Sequence, residues 1–376
     1  MKRLKILAPS RYAWRFNGPR ESRHAISVRD FAPLNKVDYR LEGITLFNPY
    51  PPRKFDLIHA FNRIPIGATR YVIGFESHLP RAFGLESSRY FERLRRSLAS
   101  DRCHRIVAIS DFAKKIFLAT HADAPQLELL ASKLEMRLPN IDVGDFTDQA
   151  EDITAAPAVR VTFVGVHFAR KGGCVAVRLA ELAEAAGVPL EVTIVSKLQM
   201  GGGIWTDPLR DGFFDDWRAR LKHPSIRWIK QLPNLQTLAL FDRSHFALLP
   251  TFGDTFGFSA IEAMRAYCPV IATDQGALGE FIEDGRNGHL LPLETNEFGE
   301  WIASGGPDRG TAQFERLFTE EVERLAQESL GRIVAAINDP AAYRRMRTAA
   351  RETVVKRFDS MSATTYWDDL YEAAVG

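Results

Sequence analysis

The chain has 376 residues, 26% of them charged and 45% hydrophobic, with a formal net charge of +2. That length and balance place it among soluble globular proteins of about two domains. No uninterrupted apolar run approaches the roughly 20 residues that a membrane-spanning helix needs. The three cysteines, Cys103, Cys174 and Cys268, have neither metal nor disulfide spacing, so a reducing cytoplasm is the expected compartment. The small net charge hides an asymmetry. Residues 1–145 hold 25 Lys+Arg and 15 Asp+Glu (+10), and the remainder holds 24 and 32 (−8), which together give the +2 of the whole. A basic half beside an acidic one suggests an anionic partner for the first: nucleic acid, an anionic membrane surface or an anionic substrate.

The chain opens M-K-R-L-K-I-L-A-P-S, basic and then apolar. The apolar part is too short for a signal peptide and reads as a first strand, Leu4 to Ala8. Further strands are expected at Leu57 to Ala60, Tyr71 to Phe75 and Arg105 to Ala108. Helices are expected at Ser88 to Leu98 and Asp111 to Ala119. This alternation predicts a parallel, doubly wound sheet. Thr147 to Pro157 reads as an interdomain linker.

The pattern then restarts. Strands are expected at Val159 to Val164, Leu190 to Val195, Ile226 to Ile229, Phe246 to Leu249, Val270 to Ala272 and His289 to Leu291. A helix, Cys174 to Ala186, ends at Gly187. Trp301 to Ala326 reads as a surface insertion or an elongated helical connection, and Leu330 to Ala336, Ala341 to Phe358 and Ala363 to Ala374 as terminal helices. The whole is an α/β protein of two similar halves with a cleft between them.

The most informative stretch is H-F-A-L-L-P-T-F-G-D-T-F-G-F-S-A-I-E-A-M-R-A-Y-C-P-V-I-A-T, His245 to Thr273. It reads strand, loop, helix, strand. The loop falls at the carboxyl end of a strand and the amino end of a helix, where open α/β sheets bind ligands and helix dipole and free N–H groups favour phosphate. Glu262 admits two readings. Ser259-x-x-Glu262 is a capping box that needs no ligand. Alternatively Asp254 and Glu262 both face a ligand, and ionised carboxylates there suit a hydroxyl-rich one.

At this point the residues resemble a family. Asp254-x7-Glu262 is similar to the E-x7-E signature of retaining glycosyltransferases of the GT-B fold, family 4. P-V-I-A-T-D-Q-G-A-L-G-E-F-I-E-D-G-R-N-G-H-L-L (Pro269 to Leu291) follows that family's run after the motif. F-V-G-V-H-F-A-R-K-G (Phe163 to Gly172) resembles its first strand and phosphate-binding loop. R-I-V-A-I-S-D-F-A-K-K-I-F (Arg105 to Phe117) and L-P-N-I-D (Leu138 to Asp142) resemble the end of its N-terminal domain.

The resemblance implies two Rossmann-like domains facing across a cleft: residues 1–150 for the acceptor, 158–356 for a nucleotide-sugar donor, and a last helix, 357–376, crossing back onto the first. It implies transfer of a sugar from a UDP- or GDP-sugar with retention, without metal or other cofactor, onto a glycan or lipid-linked acceptor in cell-surface polysaccharide or glycoconjugate synthesis. Glu262 would take the ribose hydroxyls. Asp254, with the amides around Phe256 and Gly257, would hold the transferred sugar. Lys171 would neutralise the diphosphate, whose charge grows as the bond breaks. Thr255, Phe258 and Glu280 complete the expected donor site, though Glu280 is equally a helix cap.

The sequence departs from the family at several points. Asp254 stands for a glutamate, Thr255 for a glycine and Val166 for a second phosphate-binding arginine. Arg170 is the natural substitute, because a guanidinium grips phosphate in bidentate fashion; His167 is a weaker one. Gly18 belongs to the expected N-terminal glycine loop, which faces the donor diphosphate and here lacks the usual Gly-Gly pair. In the first domain, Glu76 and His78 follow the strand Tyr71 to Phe75; one reading has Glu76 or His78 contact the acceptor hydroxyl and Glu76 take its proton, the other has Glu76 cap the following turn and His78 stand exposed on the loop. His59 is a weaker candidate at the same edge.

Residues 86–105 carry Arg89, Arg93, Arg95, Arg96, Arg102 and Arg105 with Tyr90, Phe91, Leu94 and Leu98 interleaved. Such a helix either lies on an anionic membrane, at its inner face, or packs its apolar side on the sheet. Nucleic-acid binding is not expected, for want of a suitable aromatic and basic motif. An NAD enzyme is not expected, for want of a G-x-G-x-x-G after a strand. A phosphorylase, an epimerase and a non-catalytic sugar- or nucleotide-binding protein of the same fold are the alternatives.

Overall fold

The computed structural model describes residues 2–10, 12–47 and 54–376. It divides into two compact units, one of Met1–Val143 with Arg357–Gly376, the other of Gly144–Lys356.

The first unit is built on a six-stranded parallel sheet: β1 (Lys5–Pro9), β2 (Ala25–Arg29), β3 (Leu57–Phe61), β4 (Tyr71–Phe75), β5 (Cys103–Ala108) and β6 (Leu134–Met136), in spatial order β2-β1-β3-β4-β5-β6. The central strands β3 and β4 are buried along their whole length, which is why they read as continuous apolar runs instead of alternating ones. The edge strand β2 is only half-buried and interrupts its apolar residues with Ser27 and Arg29, so it leaves no such run. The helix α1 (Arg89–Ala99) buries Phe91, Leu94 and Leu98 against this sheet. The apolar side that could have lain on a membrane is therefore occupied by the fold, and only its arginine-bearing side faces water.

The second unit has a six-stranded parallel sheet of β7 (Val159–Val164), β8 (Leu190–Val195), β9 (Ile226–Ile229), β10 (Phe246–Leu249), β11 (Val270–Thr273) and β12 (Gly288–Leu291), ordered β9-β8-β7-β10-β11-β12. This is the doubly wound order of a Rossmann sheet. Its crossovers include α2 (Gly173–Ala185), α3 (Asn234–Asp242) and α4 (Phe258–Arg265).

Of the two readings of Trp301 to Ala326, the surface insertion fails and the elongated helical connection holds: α5 runs unbroken over Ala312–Asn338, absorbing the separate helix expected at Leu330 to Ala336, and buries Phe314, Phe318, Val322, Leu325, Ser329 and Ile333. These positions recur at three- and four-residue spacing and form one stripe on the core that α2 also faces. Thr147 to Pro157 is no free linker. Ile153 is in the second core, and Asp148 pairs with the buried Arg347, whose Nε donates to Oδ2 at 2.7 Å. Helix α6 (Pro340–Arg357) carries Arg347, and α7 (Ser360–Val375) then packs Trp367, Leu370 and Tyr371 against the first sheet beside Leu4, Leu57 and Val72.

Candidate functional site

The strand order of the second sheet reverses between its neighbours β7 and β10, and ligands bind in open α/β sheets outside the carboxyl ends of the strands at such a point. Two loops leave these ends, residues 165–172 and 250–257. Glycines let them close in. A Cβ on Gly165 would lie 2.8 Å from the Cβ of Lys171, so the lysine stem crosses the strand end there. Gly172 has φ +90° and a Cβ on it would lie 2.4 Å from the Pro250 carbonyl oxygen. Thr251 ties the loops together: its Oγ1 donates to the Arg170 carbonyl at 3.0 Å and accepts from the Gly253 amide at 3.1 Å, and the Phe252 amide donates to the same carbonyl at 2.8 Å. Gly172→Ala should therefore cost about 2 kcal/mol or more, since it combines a left-handed backbone with a clash on backbone atoms. Urea unfolding of the variant checks this, and an unchanged midpoint would remove the argument for close approach.

The loops bring the charged candidates together. Lys171 Nζ forms an ion pair with Asp254 Oδ2. Asp254 is almost fully buried; burial alone would raise its carboxyl, but Lys171 and then Arg170 outweigh that and hold it below the usual range. Its other oxygen accepts from the amides of Thr255 at 2.8 Å and Phe256 at 3.4 Å. The loop amides expected around the sugar are thus gathered by Asp254 itself, and Gln275 Oε1 accepts from the Asp254 amide at 2.6 Å. Arg170 Nη1 donates to the Gly253 carbonyl at 2.6 Å. His167 is a poor substitute for a phosphate-binding arginine, because burial first, then Arg170 and Lys171, lower its pKa and favour the neutral ring. Val166 is 48% exposed and supplies no charge.

The helix α4 starts two residues earlier than the capping box requires. Its N-cap is Gly257, at φ +86°, with no side-chain cap. Ser259 lies inside the first turn, and Glu262 Oε1 accepts from Asn234 Nδ2 at 3.3 Å. The capping reading of Glu262 is therefore set aside: its carboxylate points to the start of α3. The side chain of Phe256 is fully buried and stacked on Phe281 at 5.4 Å, and Phe258 is 5.2 Å from Phe256. Only the backbone of Phe256 can reach a ligand. Glu280 ends a short 3-10 turn, Leu278–Glu280, and is half-buried.

In the first unit, Glu76 follows β4. Its Oε1 accepts from Arg81 Nη2 at 2.6 Å and Asn62 Nδ2 at 3.1 Å, and its amide donates to Asn62 Oδ1 at 3.1 Å. Arg63 and Glu42 extend this network, paired at 2.5 Å. His78 packs edge-on against Phe83 at 5.4 Å. His59 is no site residue: it is 1% exposed, bonded through Nδ1 to Tyr371 Oη at 2.7 Å, with Trp367 4.3 Å away. Gly18 has a local reason to be glycine, since a Cβ would meet the Trp14 ring at 2.6 Å, and its carbonyl accepts from Asn140 Nδ2 at 3.2 Å.

Thr251, Gln275 and Asn234 carry no motif of their own. The available signal is position: each is polar and sits just beyond an apolar strand or at a helix start, where parallel sheets present side chains to ligands. Among the described residues, no group of three or more His, Cys, Asp and Glu is placed to hold a metal ion, and no helix is long and apolar enough to cross a membrane.

Residues 158–304 match the family described as Glycosyl transferases group 1. The chain is similar to glycogen synthase of Mycobacterium tuberculosis, 27% identical over 165 residues that make up 44% of this chain and 33% of that protein. It is also similar to the D-inositol 3-phosphate glycosyltransferase of Corynebacterium kroppenstedtii, 23% identical over 294 residues, 74% of this chain and 62% of that protein. The chain thus spans less than two thirds of the length of these relatives. Among solved structures, it is similar to HepE of Anabaena in complex with UDP-glucose (TM-score 0.60, 14% identity, 98% and 100% of the two chains). A glycosyltransferase from Rickettsia africae is also similar (TM-score 0.61, 13% identity, 100% and 99%). At these identities the likeness is one of fold, and that fold is GT-B.

Proposed function

From the match of residues 158–304 to the group 1 glycosyltransferases and the GT-B fold of the chain, we propose that this protein transfers a sugar from a nucleoside-diphosphate sugar to a hydroxyl of an acceptor. The observation that carries the reading is the gathering of Lys171, Arg170 and Asp254 at the switch point, next to the uncapped start of α4, with Glu262 one turn into that helix. Cations and helix amides at one point suit a diphosphate. Carboxylates beside them suit the hydroxyls of a ribose and a sugar.

In this reading Lys171 and Arg170 take the diphosphate, helped by the amides from Gly257 and Phe258. Glu262 takes the ribose hydroxyls. Asp254 and Thr255 hold the transferred sugar once the diphosphate has drawn Lys171 away from the carboxylate, and Glu280 is assigned to the same donor. As the glycosidic bond breaks, charge builds on the leaving diphosphate, and preorganised cations lower that barrier. The chemistry needs no metal, because the two side chains supply the charge; it proceeds with retention of configuration. The acceptor is a glycan, a glycolipid or another glycoconjugate. Glu76, held by Arg81 and Asn62, and His78 are assigned to it in the first unit; Gly18 is assigned to the donor diphosphate. A UDP-sugar is the first donor to try, since the similar Anabaena protein was crystallised with UDP-glucose.

Thermal shift against UDP, GDP, ADP, CMP and their sugars tests the reading. A ligand at a hundredfold its dissociation constant adds about 2.7 kcal/mol, so one nucleotide should raise Tm clearly, and Glu262→Ala and Lys171→Ala should lose the shift. Retention is then read from the anomer of the product by NMR. If no nucleotide shifts the wild-type protein, the donor site is wrongly assigned.

A further inference from the structure

The segment 196–214, between β8 and the short helix Asp215–Arg220, belongs to neither strand nor motif, yet it reaches the donor loops. Trp205 is 48% exposed, an unusual position for the largest side chain. The Arg170 guanidinium lies over its ring, 4.7 Å from the centroid. A Cβ built on Gly253 would lie 3.4 Å from Trp205 Nε1, 3.1 Å from Thr206 Cγ2 and 3.6 Å from Arg170 Cγ. The indole, the arginine stem and the loop that carries Asp254 therefore meet at one glycine.

Trp205 is also held firmly. The Gly305 amide donates to its carbonyl at 2.8 Å. One residue before it, the Ile204 carbonyl accepts from Arg309 Nη1, which also donates to the Asp207 carbonyl at 3.2 Å. Leu209 N donates to the Arg309 carbonyl at 3.0 Å. The fully buried Asp207 accepts from the Gly201 amide at 2.9 Å and from Thr206 Oγ1 at 2.9 Å. A ring fixed on such a frame restricts the rotamers of the long arginine beside it. An arginine gripped on its face by an aromatic ring keeps its N–H edge for other acceptors.

We propose that Trp205 is a positioning residue for the diphosphate: it fixes the Arg170 guanidinium against the Gly253–Asp254 loop so that the phosphate-binding charge is in place before the ligand arrives. This rests on the donor-site reading above. The effect belongs to the phosphate-dependent part of affinity and leaves base recognition alone.

The test is calorimetric titration of the full chain with UDP, inorganic pyrophosphate and uridine, using Trp205→Leu, Trp205→Phe, Arg170→Ala and the double variant Trp205→Leu/Arg170→Ala. Trp205→Leu should weaken UDP and pyrophosphate about tenfold, the order expected of a partly desolvated cation–π contact. Uridine binding should be unchanged, and Trp205→Phe should restore most of the loss. The double variant should bind pyrophosphate no more weakly than Arg170→Ala, because the tryptophan acts through the arginine. Wild-type affinity for UDP in Trp205→Leu, additive losses in the double variant, or equal loss of uridine would each overturn the inference while leaving the donor site standing. Wild-type protein that binds neither UDP nor pyrophosphate would remove the donor site for these ligands, and the inference with it.

Discussion

Lys171→Ala should lower kcat/KM for the donor by about 10²–10³-fold, the loss expected when one preorganised group facing developing charge is removed. The same change should also destabilise the fold, because Asp254 is nearly buried and loses its ion-pair partner. Removing one member of a buried pair costs about 3–5 kcal/mol at full burial; Lys171 is 19% exposed, so less is expected here. The two effects separate in the double variant Lys171→Ala/Asp254→Asn. Neutralising the orphaned carboxylate should return most of the stability, read as Tm. It should return none of the turnover, since no cation faces the diphosphate. If the double variant recovers both, Lys171 serves the fold and not the reaction. If Lys171→Ala keeps wild-type turnover, the diphosphate lies elsewhere.

The ingredients of that pair are legible in the sequence, but the pair itself is not. Lys171 and Asp254 stand 83 residues apart, and both follow short apolar runs closed by Gly or Pro. Those runs mark parallel strands because a strand buried on both faces has no polar side to alternate with. Tyr71–Phe75 and Phe246–Leu249 are read to the residue for this reason, and Val159–Val164 and Leu190–Val195 by the apolar residues that alternate with Arg160 and Glu191. The edge strand Ala25–Arg29 escapes, because it is only partly buried and carries Ser27 and Arg29 among its apolar residues. Helix ends fare less well. Ser259 looks like a cap, yet Gly257 takes the position by adopting a left-handed backbone that no pattern of side chains announces. The 27-residue helix Ala312–Asn338 is hidden by its charged residues, and its apolar stripe shows only when spacing is followed across the whole run. Trp205 and Gln275 act through contacts of loop on loop, which leave no local signature.

Acidification should unfold the first unit before the second. His59 and His121 in the first unit are fully buried, and burial pushes their pKa values down to about 3 and about 4. Between pH 6.5 and those values the unfolded chain takes up protons that the folded chain refuses, so stability falls as pH falls. At pH 5 that amounts to about 2 kcal/mol for each histidine, or about 4 kcal/mol for the pair. In the second unit His245 behaves alike, pushed down to about 4 by burial. There, however, Asp207 works in the opposite sense. Burial raises its carboxyl to about 6, so between that value and the ordinary 3.8 the folded state holds a proton that the unfolded state has lost. Stability from this group grows on acidification, by about 1 kcal/mol at pH 5, and offsets much of the histidine loss. His104 in the first unit, and His167 and His289 in the second, are displaced downward as well, with burial the leading cause. Hydrogen exchange followed by mass spectrometry at pH 7 and pH 5 reads the difference. Peptides from Leu57–Phe61 and Cys103–Ala108 should lose protection at pH 5 while those from Val159–Val164 keep most of theirs, and Asp207→Asn should remove that advantage. Protection that falls first in the second sheet would contradict the buried-histidine account.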